Sequence, residues 1–598
     1  MSSLPPGVIL ILGGLVLTLL PRSAQAMGAL LLPVLGLLQL FFLSDGMSVG
    51  IEIAGYNLLP VRVDRLSLIF GYIFHIAAFL AALFALHVRD TTQHVAAMMY
   101  VGSAIGAVFA GDLITLFLYW EITALTSVFL IWANRSERAY RAGLRYLVIQ
   151  IGSGVLLLSG ILFYFHESGS LLFTQLIGPG ESLVTAGPGV WLIFLAFGIK
   201  CAFPLLHNWL QDAYPQATIT GTVFLSAFTT KLAVYALARA FPGTEALIWI
   251  GVVMTLFPIF FAVIENDLRK VLCYSLNNQL GFMVVGIGIG TELALNGAVA
   301  HAFVHILYKA LLFMSMGAVL YRTGTIRATD LGGLYRSMPW TAAFCIVGAM
   351  SISAFPLFSG FVAKSLTMSA VIEGYYVLIF IGLLIASAGV MEHSGIKIPY
   401  FAFFGHDSGI RCKEAPLHMC LAMGIAATLC IGIGCFPDPL YALLPYPVDY
   451  KPYADFGHSL TQLQLLLFAA LAFAVLIRTG LYPPEQNAIN VDTDWFYRRG
   501  GGFFYRTMDR VLNGANRIVY ATFIDRFIGW ISHIARTAPS RFAVTLLTPV
   551  WRAQGLRDKT LDARQKAFYE DARLGTFPVG ATAIFAVVLL GLLFLFSN

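Results

Sequence analysis

Runs of about twenty mostly apolar residues recur along the whole chain, and twenty is the length that carries an α-helix across the hydrocarbon core of a bilayer. They fall near residues 7–20, 27–43, 66–87, 94–110, 113–133, 144–164, 187–206, 218–241, 245–264, 271–290, 294–320, 340–362, 374–394, 416–436, 463–482 and 577–596. In lipid, only helices and closed barrels satisfy every backbone polar group, and runs this long belong to helices. The pattern predicts an all-α polytopic membrane protein with about 16 transmembrane helices. Composition agrees, with 58% of residues hydrophobic and 11% charged, against about 25% charged in a soluble domain. A soluble globular enzyme is excluded.

Loop charges set an orientation, because arginine and lysine collect on the cytoplasmic side. The loop after the fifth run holds Arg135, Arg138, Arg141 and Arg145. Alternation then makes every odd-numbered loop cytoplasmic, and those loops also carry Arg22, Arg89, Arg269, Lys270, Arg322, Arg327, Arg336, Lys397, Arg411 and Lys413. Residues 165–186 contain no Lys or Arg, and Arg62, Arg65 and Arg239 are modest exceptions on the other side. Both termini are expected outside an inner cell membrane. No basic residue precedes the first run, so Ala24-Gln25-Ala26 is read as helix flank rather than as a cleavage site.

The net charge of +6 gives no nucleic-acid footprint. Seven cysteines show no CxxC pair and no metal-ligand spacing with histidine, so no metal and no redox cofactor is expected in this chain. Residues 483–576 are different in character. Val519, Phe523, Phe527, Ile531 and Ile534 recur at helical spacing among Arg510, Arg517, Arg526 and Arg536. That pattern predicts amphipathic helices on the cytoplasmic surface, facing anionic lipid and interrupted at Gly500 to Gly502, Pro539 and Pro549. For 540–576, a subdomain packed on itself fits equally well.

Seven ionisable residues lie inside the apolar runs or at their ends: Glu121, Lys200, Lys231, His301, His305, Lys309 and Lys364. A charge at a helix centre costs about 2.5–3.5 kcal/mol on insertion scales, so four lysines and a glutamate amount to about 15 kcal/mol. Snorkelling of long lysine stems relieves part of that, most readily for Lys364 near a run end. Lys200 and Glu121 have apolar neighbours on both sides. Desolvation brings a lysine into the range where it exchanges protons, and an approaching carboxylate reverses the effect. Glu121 and Lys200 therefore make a switch pair if the fold brings them together.

Prolines interrupt two of these runs, at Pro204 four residues after Lys200 and at Pro356 eight residues before Lys364. Broken helices are tolerated where they are buried or line a hydrated path, and they mark ion transporters. Two such breaks five runs apart hint at an internal repeat. On the eleventh run His301, His305 and Lys309 share a helical face. The lysine argues against a metal between the histidines, and a proton relay is expected.

These segments resemble a known family. Asp112-Leu-Ile-Thr-Leu-Phe-Leu-Tyr-Trp120-Glu121, Asp267-Leu-Arg-Lys270 with Tyr274-Ser275 and Gln279-Leu280-Gly281, and His301-xxx-His305-xxx-Lys309-Ala310-Leu-Leu-Phe313 are similar to motifs of the antiporter-like subunits of respiratory complex I. Leu205 to Leu210, Thr229 to Tyr235 and Phe358 to Leu366 most resemble the D-type subunit of Mrp-type sodium/proton antiporters. The resemblance implies a fourteen-helix core with inverted five-helix repeats, and one hydrophilic axis. It makes Glu121 and Lys200 the coupled pair, Lys231 and the histidines connectors, and Lys364 the exit-side residue. Implied segments are 1–93, the repeat halves 94–241 and 245–394, core helices 395–482, the surface region 483–576 and a terminal helix 577–598. Pro215-Gln216-Ala217 departs from the family's Pro-Thr-Pro, and 483–576 resembles the lateral helix of the largest complex I antiporter-like subunit.

The expectation is a proton-translocating subunit of a multisubunit sodium/proton antiporter, working with other membrane subunits and with lipid. Alternatives are the proton-pumping membrane arm of a complex I-like dehydrogenase or membrane hydrogenase, the membrane subunit of an inorganic-carbon uptake complex, and a structural scaffold.

Overall fold

The computed structural model describes residues 4–178, 182–454, 456–482, 485–487, 490–574, 586–591 and 594. Eleven helices among them are long and apolar enough to cross a bilayer, and Val8–Leu19, Pro188–Lys200 and Pro339–Ile352 are shorter apolar ones. The last expected span, 577–596, lies largely outside the described residues. The chain forms two units, Met1–Thr493 and Asp494–Asn598.

In the first unit the elements follow the apolar runs. They are α1 (Val8–Val16), α2 (Arg22–Leu40), α3 (Arg65–Phe84), α4 (Thr91–Phe109), α5 (Leu113–Trp132), α6 (Glu137–Ser168), α7 (Pro188–Lys200), α8 (Asn208–Ala213), α9 (Ile219–Ala227), α10 (Thr229–Ala240), α11 (Glu245–Ile264), α12 (Leu268–Ile289), α13 (Glu292–Thr323), α14 (Pro339–Ile352), α15 (Ser359–Glu373) and α16 (Val377–Val390). The helices Leu417–Cys435 and Phe456–Thr479 follow. Buried side chains from nearly all of them make one continuous core. One element is not helical. Strands β1 (Ser48–Ile53) and β2 (Tyr56–Arg62) form a hairpin between α2 and α3. Ala54 and Gly55 both have positive φ, 52° and 81°, which matches strand twist through a two-residue turn.

The expected repeat is visible in the backbone. Asp112 caps α5 by accepting from the Thr115 N–H, and Asp267 caps α12 by accepting from Arg269 and Lys270. The residue after each aspartate pairs with a loop beyond the following helix, Leu113 with Leu171 and Leu268 with Ile326. Those following helices, α6 and α13, are both 32 residues long. Each counterpart lies 155 residues further on, as from Asp112 to Asp267. Five spans separate the two sets, an odd number, so counterparts cross the bilayer in opposite directions.

Both broken spans have the same geometry. Ala202-Phe203-Pro204-Leu205 and Ala354-Phe355-Pro356-Leu357 each hold the alanine and the leucine in the left-handed region, at φ 62° and 69° in one and 58° and 72° in the other. Phe203 donates to the Gly198 carbonyl and Phe355 to that of Met350, both at 3.0 Å. The twelfth span therefore differs from the sequence reading. It consists of α14, a break over 353–358, and α15, so Lys364 lies well inside the second half-helix rather than at a span end.

The second unit is also more continuous than its glycines and prolines predict. Helix Asp494–Met508 contains Gly500 to Gly502, and helix Ile528–Ala553 contains Pro539 and Pro549. Wider π turns over Asp509–Asn513 and Tyr520–Phe527 join the pieces without a break, which is how a helix absorbs a local mismatch. Helix Lys559–Leu574 folds back to bury Val544, Trp551 and Leu561. The stripe of Val519, Phe523, Phe527, Ile531 and Ile534 stays exposed.

Candidate functional site

The first group of buried charges joins α5, α6 and α7. Lys200 is fully buried at the last position of α7, next to the first break. Its ammonium donates to the Trp120 carbonyl at 2.9 Å and to Thr123 Oγ1 at 3.0 Å, and lies 4.1 Å over the Trp120 ring. Glu121 is the neighbour of that carbonyl, and the Lys200 charge acts on its carboxyl. Among the described residues no ion pair joins the two. Glu121 Oε1 is buried without a hydrogen-bond partner. It rests against Gly154 of α6, where a Cβ would come within 1.3 Å of that oxygen. Trp120 is fixed in turn by Ser153, which takes its indole N–H at 3.1 Å and donates to the Ala196 carbonyl at 2.8 Å.

A second group fills the centre. Lys231 sits just past a further break, at Phe228 between α9 and α10, and donates to the Ser226 carbonyl at 2.7 Å. A break frees carbonyls, and a buried ammonium is a donor that can take one. Lys364 makes the same contact across the second broken span, donating to Ile352 O at 2.9 Å, and lies 4.8 Å over the Phe282 ring. Ile352 holds the place in the second break that Lys200 holds in the first, four residues before the proline.

Between these lysines runs the histidine helix, α13, almost wholly buried. His301 Nε2 meets Gln279 Oε1 at 3.2 Å and the Tyr308 hydroxyl at 3.0 Å. The His301 and His305 rings are 6.2 Å apart. Both nitrogens of His305, and the Lys309 ammonium, make no hydrogen bond among the described residues. Lys231 and Lys364 act electrostatically on both histidines and on Lys309. The fold thus gathers Lys231, His301, His305, Lys309 and Lys364 into one cluster. Lys231 also acts on Cys201, the residue after Lys200, which connects the two groups.

Two polar residues were placed differently by the sequence. Lys397 reads as a cytoplasmic loop residue, but it lies in the helical stretch Val377–Phe404 and is fully buried. The run 374–394 ends before it, because Glu392, His393 and Lys397 depress the hydropathy there. His393, four residues earlier, is also buried, and the charges of Lys309, Lys364 and Lys397 all act on it. Its i, i+4 spacing to Lys397 was the available signal. Arg269 reads as a loop charge too. It is buried and holds the Pro215–Ala217 turn, donating to both carbonyls at 3.2 Å and to the Thr222 hydroxyl. Arg239, an exception in the charge pattern, pairs with Asp64 at 2.8 Å. Among the described residues, no group of three or more His, Cys, Asp or Glu side chains could hold a metal ion.

Residues 110–389, which contain every one of the seven predicted positions, match the family described as NADH:quinone oxidoreductase/Mrp antiporter, transmembrane. Over that segment this chain is similar to the antiporter-like family. The proteins it is similar to include an antiporter subunit and a hydrogenase component. The D-type subunit of a Na+/H+ antiporter from Alkalihalophilus pseudofirmus is 29% identical over 357 residues, which are 56% of this chain and 72% of that one. Hydrogenase-4 component B of Escherichia coli is 26% identical over 414 residues, 62% of each chain. The antiporter-like fold extends further. A chain of the membrane-bound sulfane sulfur reductase, an archaeal respiratory membrane complex, superposes with a TM-score of 0.70 over 89% of this chain and 99% of its own, at 22% identity.

Proposed function

We propose that this antiporter-like chain is the proton-translocating subunit of a multisubunit monovalent cation/proton antiporter, in the inner cell membrane with its N-terminus outside. The observation that carries the reading is the buried cluster of Lys231, His301, His305, Lys309 and Lys364, with a lysine beside each broken helix; we read residues 94–241 and 245–394 as the two repeat halves that it joins. On this reading Glu121 and Lys200 form the switching pair. A carboxylate swinging toward Lys200 holds its proton, and one swinging back toward Gly154 releases it. Lys231, His301, His305 and Lys309 relay the charge, and Lys364 ends the relay beside the second break. The relay positions without protein partners support this. Buried donors and acceptors left unpaired cost about 1–3 kcal/mol each, a cost that a chain of proton carriers offsets.

Other membrane subunits complete the assembly, as similarity to subunits of multisubunit complexes suggests. The test is Lys200→Ala in inverted membrane vesicles carrying the whole complex. Cation-driven proton movement, read as recovery of a quenched ΔpH dye, should fall by about 100-fold. Unchanged transport would sink the reading. A second reading, a proton-pumping arm of a redox complex, draws on the likeness to hydrogenase-4 component B. Copurifying iron–sulfur or flavin subunits would favour it, and small hydrophobic subunits alone would favour the antiporter.

A further inference from the structure

The segment that follows helix Phe456–Thr479 returns to the bundle with acidic side chains pointing inward. The Glu485 carboxylate is buried, and its Oε1 lies 2.8 Å from the Lys397 ammonium. Lys397 also donates to the carbonyls of Ala262 and Glu265 at the end of α11, at 3.1 and 2.8 Å. Asn490 donates to Glu265 Oε2 at 3.2 Å, the oxygen that also pairs with Lys270 at 2.8 Å. Asp492, again buried, accepts from the Tyr274 hydroxyl of α12 at 2.9 Å and meets His207 Nε2 at 3.3 Å. His207 belongs to the first break, seven residues after Lys200.

These contacts join a stretch outside the matched family domain to both halves of the buried axis. From Glu485 the way inward is Lys397, then His393, then Lys364 and Lys309, each acting electrostatically on His393. His393 Nε2 is buried and without a partner among the described residues. The connecting segments 201–207, 265–267 and 405–416 and the described residues of the one after Phe456–Thr479 (480–482, 485–487 and 490–493) follow odd-numbered spans, so the charge rule puts them on one face, the cytoplasmic one. A buried acid beside a buried base at the aqueous end of such a line is placed to capture protons.

We propose that Glu485 is the proton-accepting carboxylate at the cytoplasmic end of the second half, and that Asp492 is a positioning residue that pins its segment. Glu485 takes a proton from the aqueous side on a carboxylate oxygen and passes it to the neutral Lys397 amine. The product is the Glu485–Lys397 ion pair seen here. Lys397 hands the proton on to His393 and becomes neutral again. Two electrostatic differences suit the two acids to these roles. Burial raises the Glu485 carboxyl, with Lys397 opposing. For Asp492 burial raises too, but the bonds to His207 and Tyr274 prevail and hold it below the usual carboxylate range. Other titratable groups face this site: Glu265, Glu392 and Tyr482 around Glu485 and Lys397.

The inference rests on the proton-translocating reading, and one experiment separates the two. Glu485→Gln, Glu485→Asp, Asp492→Asn and Lys200→Ala are compared in inverted vesicles carrying the assembled complex and preloaded with the cation, so that cation efflux draws protons in from the bath, at bath pH 6 to pH 9, with membrane abundance measured for each. Glu485→Gln should transport about tenfold more slowly at alkaline pH, where protons are scarce, with the deficit shrinking toward pH 6. Glu485→Asp should restore most of the rate, and Asp492→Asn should show a smaller deficit that does not vary with pH. A loss in Glu485→Gln that is uniform across pH, or no loss at all, overturns the proposal. If Glu485→Gln does not accumulate, Glu485→Asp carries the test, through a shift of its pH–rate profile relative to the parent; no shift overturns it. Normal transport by Lys200→Ala overturns the underlying reading instead.

Discussion

Gly154 has no chemistry of its own, yet the Glu121 carboxylate depends on it. An added Cβ would fall 1.3 Å from Glu121 Oε1, so the carboxylate must leave its resting place. Gly154→Ala should therefore mimic a Glu121 variant. Transport should drop by about tenfold or more while membrane abundance and thermal stability change little, because Glu121 is half-buried and has room to move outward. Transport equal to the parent would show that this position of the carboxylate is not used. The seven charged residues were legible in the sequence because each charge interrupts an apolar run. Gly154, Ser153 and Thr123 were not, because their importance comes from which helices touch. Nothing along α6 marks Gly154 until α5 is packed against it.

Helix breaks were half legible. Proline signals that a carbonyl loses its partner, and both Pro204 and Pro356 fall within breaks. What the sequence did not reveal is where each span resumes, nor the interruption at Phe228, since no residue type there compels the distortion. The structure adds that the breaks are built by left-handed residues. Leu357 is 56% exposed with φ 72°, so its conformation costs energy and its side chain recovers little by burial. A left-handed L-residue costs about 1–2 kcal/mol, and glycine's extra freedom in the unfolded chain costs about 0.5–1 kcal/mol. Leu357→Gly should then leave the thermal midpoint of the detergent-solubilised protein unchanged or slightly higher. Leu357→Val, β-branched and ill suited to positive φ, should lower it. Equal midpoints for leucine and valine would mean that this turn is not left-handed in the working protein. Gly434 adds a constraint from the facing helix, since a Cβ there would come within 2.2 Å of the Leu357 carbonyl.

For the molecule as a whole, the direction of transport depends on which face each loop occupies, and α6 offers a sharp way to ask. Its 32 residues rise about 48 Å at 1.5 Å each, more than the thickness of a bilayer with its headgroups. Its two ends must therefore lie on opposite faces. Ser136, its cap, is exposed beside Arg135 and Arg138, while Ser168 at the far end is exposed in a stretch without Lys or Arg. The charge rule puts Ser136 inside and Ser168 outside. In a chain freed of its seven cysteines, Ser168→Cys should react with an impermeant maleimide in intact cells. Ser136→Cys should react only in inverted vesicles. The reverse pattern would turn every loop over. It would place Glu485, Lys397 and Asp492 on the outer face, and the carboxylate proposed here to take up cytoplasmic protons would then release them outside instead.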